Sequence, residues 1–170
     1  YMLYSKLVEV YEGLESTTKR LEHTYAISEF LKGIDVNDLG TAILLLEGRV
    51  FPRGDEREIG MASKMMLKAI GVASGETKDR INSEWKKTGD LGTVSYNLIK
   101  KKKQHTLGSY ELTVKKILKN LMELATIEGE GSVDKKISLV AELLTSAKPN
   151  EAKYIVRTIL NDMRIGVGEG

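Results

Sequence analysis

A chain of 170 residues, 41% hydrophobic and 29% charged, fits one soluble globular domain rather than a disordered protein. It has no cysteine and two distant histidines, His23 and His105, which excludes disulfides and thiol chemistry and argues against a metal centre built on imidazole. The net charge of +2 is uneven: residues 1–60 hold 7 Lys/Arg against 11 Asp/Glu, residues 61–170 hold 19 against 13, and an anionic partner belongs on the second part.

Helical spacing of apolar residues runs through most of the chain, with no credible strand pair, and predicts an all-α fold. Leu3, Leu7, Val10 and Leu14 mark a first amphipathic helix, and Leu21, Tyr25, Ile27, Phe30 and Leu31 a second. Asp38 to Leu46 reads as a third, followed by a loop through Pro52 and Gly54. Asp55 with Glu58 resembles a capping box and predicts a helix from there to about Ala73. Further helices are expected over about Lys78–Lys86, through Tyr96 and Ile99 into the run Lys100–Lys103, from a Thr113 cap to Leu124, from a Ser132 cap to Leu144, and from Pro149 to Met163.

The longest apolar run, Ala42–Leu46, is far short of the ~20 residues of a membrane span, and no secretory leader is visible. Tyr1 ahead of Met2 reads as a leftover, with Met2 the natural start. Glu29-Phe30-Leu31 and Asn37-Asp38 recur 113 residues later as Glu142-Leu143-Leu144 and Asn150-Glu151, with Arg49-Val50 echoed by Arg164-Ile165. That pattern suggests a compact two-lobed body with a pseudo-two-fold repeat, or a chance likeness between amphipathic helix pairs.

Two Gly-rich turns lead into helices in the basic part: Thr88-Gly89-Asp90-Leu91-Gly92 and Gly129-Glu130-Gly131-Ser132. The first amides of a helix lack internal partners and lie at its electropositive end, so a glycine-opened tip can hold a phosphate. Lys135 and Lys136 follow Ser132 by one turn and add charge. Ordinary turns would look the same, and neither is a P-loop, because no Gly-Lys-Ser/Thr follows. Lys153, Arg157 and Arg164 recur at spacings of 4 and 7, a basic stripe if the last helix persists. The chain then runs through Gly166 and Gly168 and stops without a C-terminal logic, as a truncated piece would. Gln104, Leu107 and Tyr110 have the spacing of a single turn that plugs a hydrophobic pocket on a partner, or of a plain loop with its apolar residues turned inward.

Taken in order, these segments, together with Val50-Phe51-Pro52, Asp55–Gly60 and Glu151-Ala152-Lys153-Tyr154 through Arg157 to Val167, resemble the N-terminal domain of archaeal and eukaryotic ATP-dependent DNA ligases over essentially the whole chain. The resemblance implies one all-helical DNA-binding domain over residues 1–170, the N-terminal piece of a longer intracellular, nucleoid-associated ligase whose adenylation and OB-fold domains lie elsewhere. It implies sequence-independent binding of nicked duplex DNA through minor-groove sugar–phosphate contacts. The DNA-facing positions it carries over are Thr88, Gly89, Gly92, Gly129, Gly131, Ser132, Lys135, Lys136, Lys153, Arg157, Arg164, Gly166 and Gly168. It also implies docking on the ring-shaped sliding clamp through Gln104, Leu107 and Tyr110, with Glu111 standing where a second aromatic is common. ATP and Mg²⁺ would serve the parent enzyme. The family's Lys-x-Asp-Gly nucleophile string does not occur here, so no cofactor and no catalytic residue are expected in these 170 residues.

Overall fold

The computed structural model describes residues 1–102 and 111–166. Gln104, Leu107 and Tyr110, and also Gly168, lie outside them. Among the described residues there are nine helices: α1 (Tyr4–Glu15), α2 (Arg20–Lys32), α3 (Val36–Leu46), α4 (Ser63–Ser74), α5 (Lys78–Thr88), α6 (Leu91–Lys102), α7 (Val114–Thr126), α8 (Ser132–Ser146) and α9 (Pro149–Ile159). The fold is all-α, as the apolar periodicity predicts. The one extended pairing is a single antiparallel bridge, Leu3 with Thr113, closed by Tyr4 N–H to the Leu112 carbonyl (2.7 Å) and Val114 N–H to the Met2 carbonyl (3.0 Å). No helix of the described residues is long and apolar enough to cross a membrane.

The helices sort into two groups by what they touch. In one, α1 packs on α2, α3 and α7, and α3 lies along α7; in the other, α4 packs on α5, α6 and α8, and α6 lies along α9. Contacts of α1 with α9 and of α7 with α8 join the groups, and one apolar core runs through both. α9 is its axis: every residue from Glu151 to Ile159 except Lys153 is buried. Because Glu151, Arg157 and Thr158 are among those buried residues, so central a helix needs internal partners for its polar side chains as well as apolar packing. Beside it Tyr11 and Tyr154 stack with ring centroids 4.9 Å apart, and the Tyr11 hydroxyl donates to the Leu45 carbonyl at the end of α3. α2 is the opposite case. None of its residues is buried, and it rests on α1 through half-buried Ala26, Ile27 and Phe30, leaving Leu21 and Tyr25 in solvent.

Local chemistry sets most helix starts. The side chains of Asp35, Thr77 and Thr113 accept from Asn37, Arg80 and Lys116 amides at 2.9, 3.2 and 3.1 Å, and so cap α3, α5 and α7. Three sequence expectations are corrected. Asp55 opens no helix: its carboxylate takes the Arg57 amide and guanidinium in a tight local turn, and α4 begins only at Ser63. Ser132 does not cap α8; it is the first helical residue, and left-handed Gly131 (φ 77°) is the cap, with no side-chain hydrogen bond. The last helix ends at Ile159 rather than Met163, because Asn161 (φ 55°) and Arg164 (φ 60°) turn the chain through left-handed conformations.

Candidate nucleic-acid interface

The two glycine turns differ in what they leave open. At the α5–α6 junction Gly89 (φ 65°) ends α5, and its amide bonds the Trp85 carbonyl at 2.8 Å. Asp90 then caps α6 with its own carboxylate: Oδ1 accepts the Gly92 amide at 3.0 Å and Oδ2 the Thr93 hydroxyl at 2.7 Å. The electropositive tip of α6 is therefore already occupied by an acid of the chain, and Gly92 is buried. A Cβ on Gly92 would lie 2.7 Å from Arg157 Cγ and 2.8 Å from the Lys153 carbonyl oxygen. Gly92 is glycine so that α6 can approach α9. At the α7–α8 junction the tip stays open. Gly129 and Gly131 are exposed with nothing near either Cα, no side chain caps α8, and Lys135 projects from the first turn without an ion pair to any described residue.

Arg157 also departs from its expected place. Its side chain is 4% exposed and is held on three sides. Nη2 and Nε donate to Asp90 Oδ2 at 2.6 and 3.2 Å, and Nη1 donates to Glu15 Oε1 and to the Met163 carbonyl. Lys153 stays half-buried, 3.7 Å from Glu15 and over the Tyr154 ring. Burial works to raise the Asp90 and Glu15 carboxyls, but hydrogen bonds outweigh it and hold both below their ordinary values; Arg157 and Thr93 donate to Asp90, Arg157 and Tyr154 to Glu15. Burial likewise works to lower the Arg157 guanidinium, and those two carboxylates reverse the sign. The stripe read from the sequence is thus largely an internal salt-bridge cluster tying α1, the α5–α6 turn and α9 together.

Arg164 is the member that reaches outward. The left-handed turn after α9 brings it beside the α5–α6 junction, where Nη2 donates to the Gly89 carbonyl at 2.8 Å and Nε lies 2.9 Å from Asp162; its side chain is 41% exposed. It lines two adjoining clefts. One, of about 190 Å³, also includes Gly89, Asp90, Trp85 and Asp162. The other, of about 560 Å³, includes Thr17, Thr18, Arg20, His23 and Gly166. His23 fixes the floor of the second: its Nε2 lies 2.8 Å from the Leu14 carbonyl and 2.6 Å from the Thr17 carbonyl, and since carbonyls only accept, Nε2 carries the proton.

Gly89, Arg164 and Gly166 therefore come together, with the exposed α1–α2 turn Thr18-Lys19-Arg20 beside them. Sequence reasoning missed that turn, although a polar, basic run between two apolar periodic segments was its visible sign. Thr88 serves the turn from within, accepting the Asp90 amide at 3.3 Å. No hydrogen bond among the described residues joins the Gly129–Ser132 turn to this group. Lys136, expected to face outward, instead donates to the Ile59 and Gly60 carbonyls at 3.3 and 3.1 Å, pinning the 47–62 loop to α8. No cluster of metal-ligating side chains occurs among the described residues.

Residues 3–170 match a family described as the DNA ligase N terminus. The chain is 43% identical over 169 residues to a DNA ligase of Methanothermobacter thermautotrophicus, 45% over 170 residues to one of Methanosphaera stadtmanae and 44% over 170 residues to one of Archaeoglobus fulgidus. Each alignment covers 98–99% of this chain and 30–31% of the relative, so the chain spans about a third of the length of the curated relatives it matches.

Proposed function

Because the chain belongs to the DNA ligase N-terminus family, we propose that it is the part of an ATP-dependent ligase that grips duplex DNA around a nick, across the minor groove and without reading sequence. The observation that carries this reading is a set of outward-reaching cations near exposed glycine turns: Lys135 at the uncapped α8 tip, Arg164 at Gly89 and Gly166, with Asp162 2.9 Å away, and Lys19 and Arg20 on the α1–α2 turn, Lys19 3.9 Å from Glu22. Open backbone at Gly89, Gly129 and Gly131 admits a sugar–phosphate rail to close range, where amides and cations both act on it.

In this reading Arg157, Asp90, Glu15, Lys153 and Gly92 position the contact turns from inside. The parent enzyme would join 3′-hydroxyl and 5′-phosphate ends with ATP and Mg²⁺, and the adenylated lysine would lie beyond these residues, as no Lys-x-Asp-Gly string occurs in them. Gel-shift titration of a nicked duplex against Lys135→Gln and Arg164→Gln tests the interface. Each substitution should weaken binding alike on unrelated sequences and lower the salt slope by about 1, as loss of one phosphate contact does. Wild-type affinity in the doubly substituted protein, with its helical content intact, would remove the interface from this face.

A further inference from the structure

A groove of about 750 Å³ runs between α4 and α5, adjoining the small cleft that Asp90 and Arg157 line. Its floor is apolar, formed by Leu67, Ile81 and the face of Trp85, and Gly71 keeps the α4 wall low: its missing Cβ would stand 3.4 Å from Ile81 Cδ1. Its rim is basic. Lys64, Lys68 and Lys78 line it, all exposed and none ion-paired with a described residue, while the single acid of the lining, Glu76, lies 3.9 Å from Lys101. Lys64 and Lys68 stand one turn apart on α4, where like charges repel. Val72, one turn further, is 65% exposed and extends the apolar strip past the groove.

We propose that this groove docks an acidic amphipathic helix of a partner protein, whose apolar edge fills the floor while its carboxylates meet Lys64, Lys68 and Lys78. Charge and shape both favour that occupant. Helices of 12 and 11 residues form the walls, roughly 16–18 Å long, which matches two to three turns of a docked helix. Unpaired lysines around an apolar slot complement carboxylates around an apolar edge, steering encounter and fixing orientation. The rails of a duplex offer phosphates and small, separated deoxyribose faces, with no continuous apolar edge to fill a slot lined by Leu67, Ile81 and Trp85. The inference stands beside the DNA interface without depending on it, although Ser63 and Trp85 line both the groove and the small cleft at Gly89.

Trp85 is the only tryptophan of the sequence and reports directly on the groove. The probe is a synthetic peptide of about 15 residues, long enough to hold a helix, with Leu and Phe at i, i+4 spacing and Glu on both flanks. Its titration should shift Trp85 emission saturably to the blue, while the same peptide with Lys for Glu leaves it unchanged. Lys64→Glu with Lys68→Glu should weaken the acidic peptide about tenfold, a scale set by two rim charges, and leave nicked-duplex affinity unaltered. Both sites are exposed and lie in the first half of α4, where acids suit the helix, so the variant keeps its fold. No emission shift overturns the proposal, as does equal binding of the two peptides. Because Trp85 also lines the cleft at Gly89, a shift with nicked duplex counts for the groove only if Lys64→Glu with Lys68→Glu abolishes it, and that result would instead assign the groove to nucleic acid.

Discussion

Arg157 shows how a single side chain can be misplaced by sequence spacing and still matter to the interface. Its guanidinium satisfies two carboxylates and a backbone carbonyl at once, and Asp90 has almost no solvent to fall back on, with its side chain 5% exposed. Removing one partner of such a buried pair leaves an uncompensated charge, which typically costs ~3–5 kcal/mol. Arg157→Leu is expected to lower stability by about that much in urea unfolding, whereas Arg164→Gln, at a half-exposed site, should change it by under about 1 kcal/mol. The cluster also sets a pH dependence. Asp90 and Glu15 have folded-state pKa values below their ordinary 3.8 and 4.5, so the unfolded chain binds protons first as pH falls. Their stabilising contribution is complete above those values and is lost as pH drops through the lower, folded-state values. Unfolding free energy followed from pH 6 to pH 2 should therefore fall through the acid range, and Asp90→Asn should flatten that fall while lowering the plateau. An unchanged acid limb in the Asn variant would show that Asp90 contributes none of it.

At the scale of helices, the contact of α6 with α9 is set by Gly92. The Lys153 carbonyl is backbone and cannot swing aside, so a methyl group at position 92 forces the helices apart or displaces Arg157. Gly92→Ala is expected to lose about 1–3 kcal/mol despite alanine's better helix propensity, a sign opposite to the usual exposed Gly→Ala change in a helix. Thermal unfolding of this variant beside Gly13→Ala in α1, where nothing lies near the position, separates overpacking from propensity. The same two helices show what was legible in the sequence. Apolar spacing located all nine, and the Thr113 and Pro149 starts followed from local chemistry that tertiary packing does not override. Helix ends and faces were less legible. Periodicity placed Arg157 and Lys153 on one face of α9, but which face meets solvent depends on Glu15 and Asp90, 142 and 67 residues away in the chain. Leu21 and Tyr25 have core-like spacing yet lie exposed, because α2 packs chiefly on α1 and through its other face. Gly89 and Gly92 form one motif in sequence, and only the three-dimensional placement of α9 separates an open turn from a packing glycine.

For the whole molecule, the excess of +6 over residues 61–170 overstates the charge offered to DNA, because Arg157 and Lys153 are balanced by Glu15 and Asp90 and Lys136 is turned onto backbone carbonyls. The outward cations of the proposed interface are Lys135 and Arg164 from that part, Arg164 with exposed Asp162 beside it, together with Lys19 and Arg20 from the acidic first part, Lys19 with exposed Glu22 beside it. Each phosphate neutralised releases condensed counterions and steepens the fall of log affinity with log salt by about 0.9, which gives a slope of roughly −3.6 for those four. Had Lys136, Lys153 and Arg157 also met phosphates, seven contacts would give roughly −6.3. Duplex affinity measured at several salt concentrations distinguishes these values. A slope near the steeper one would mean that the ion cluster opens on binding and hands its cations to DNA, which would also make Arg157→Leu far more damaging to affinity than its loss of stability accounts for. A slope near the shallower value keeps Arg157 where the fold holds it, its ion pairs tying α1, the α5–α6 turn and α9 together behind the proposed contacts at Gly89 and Gly166.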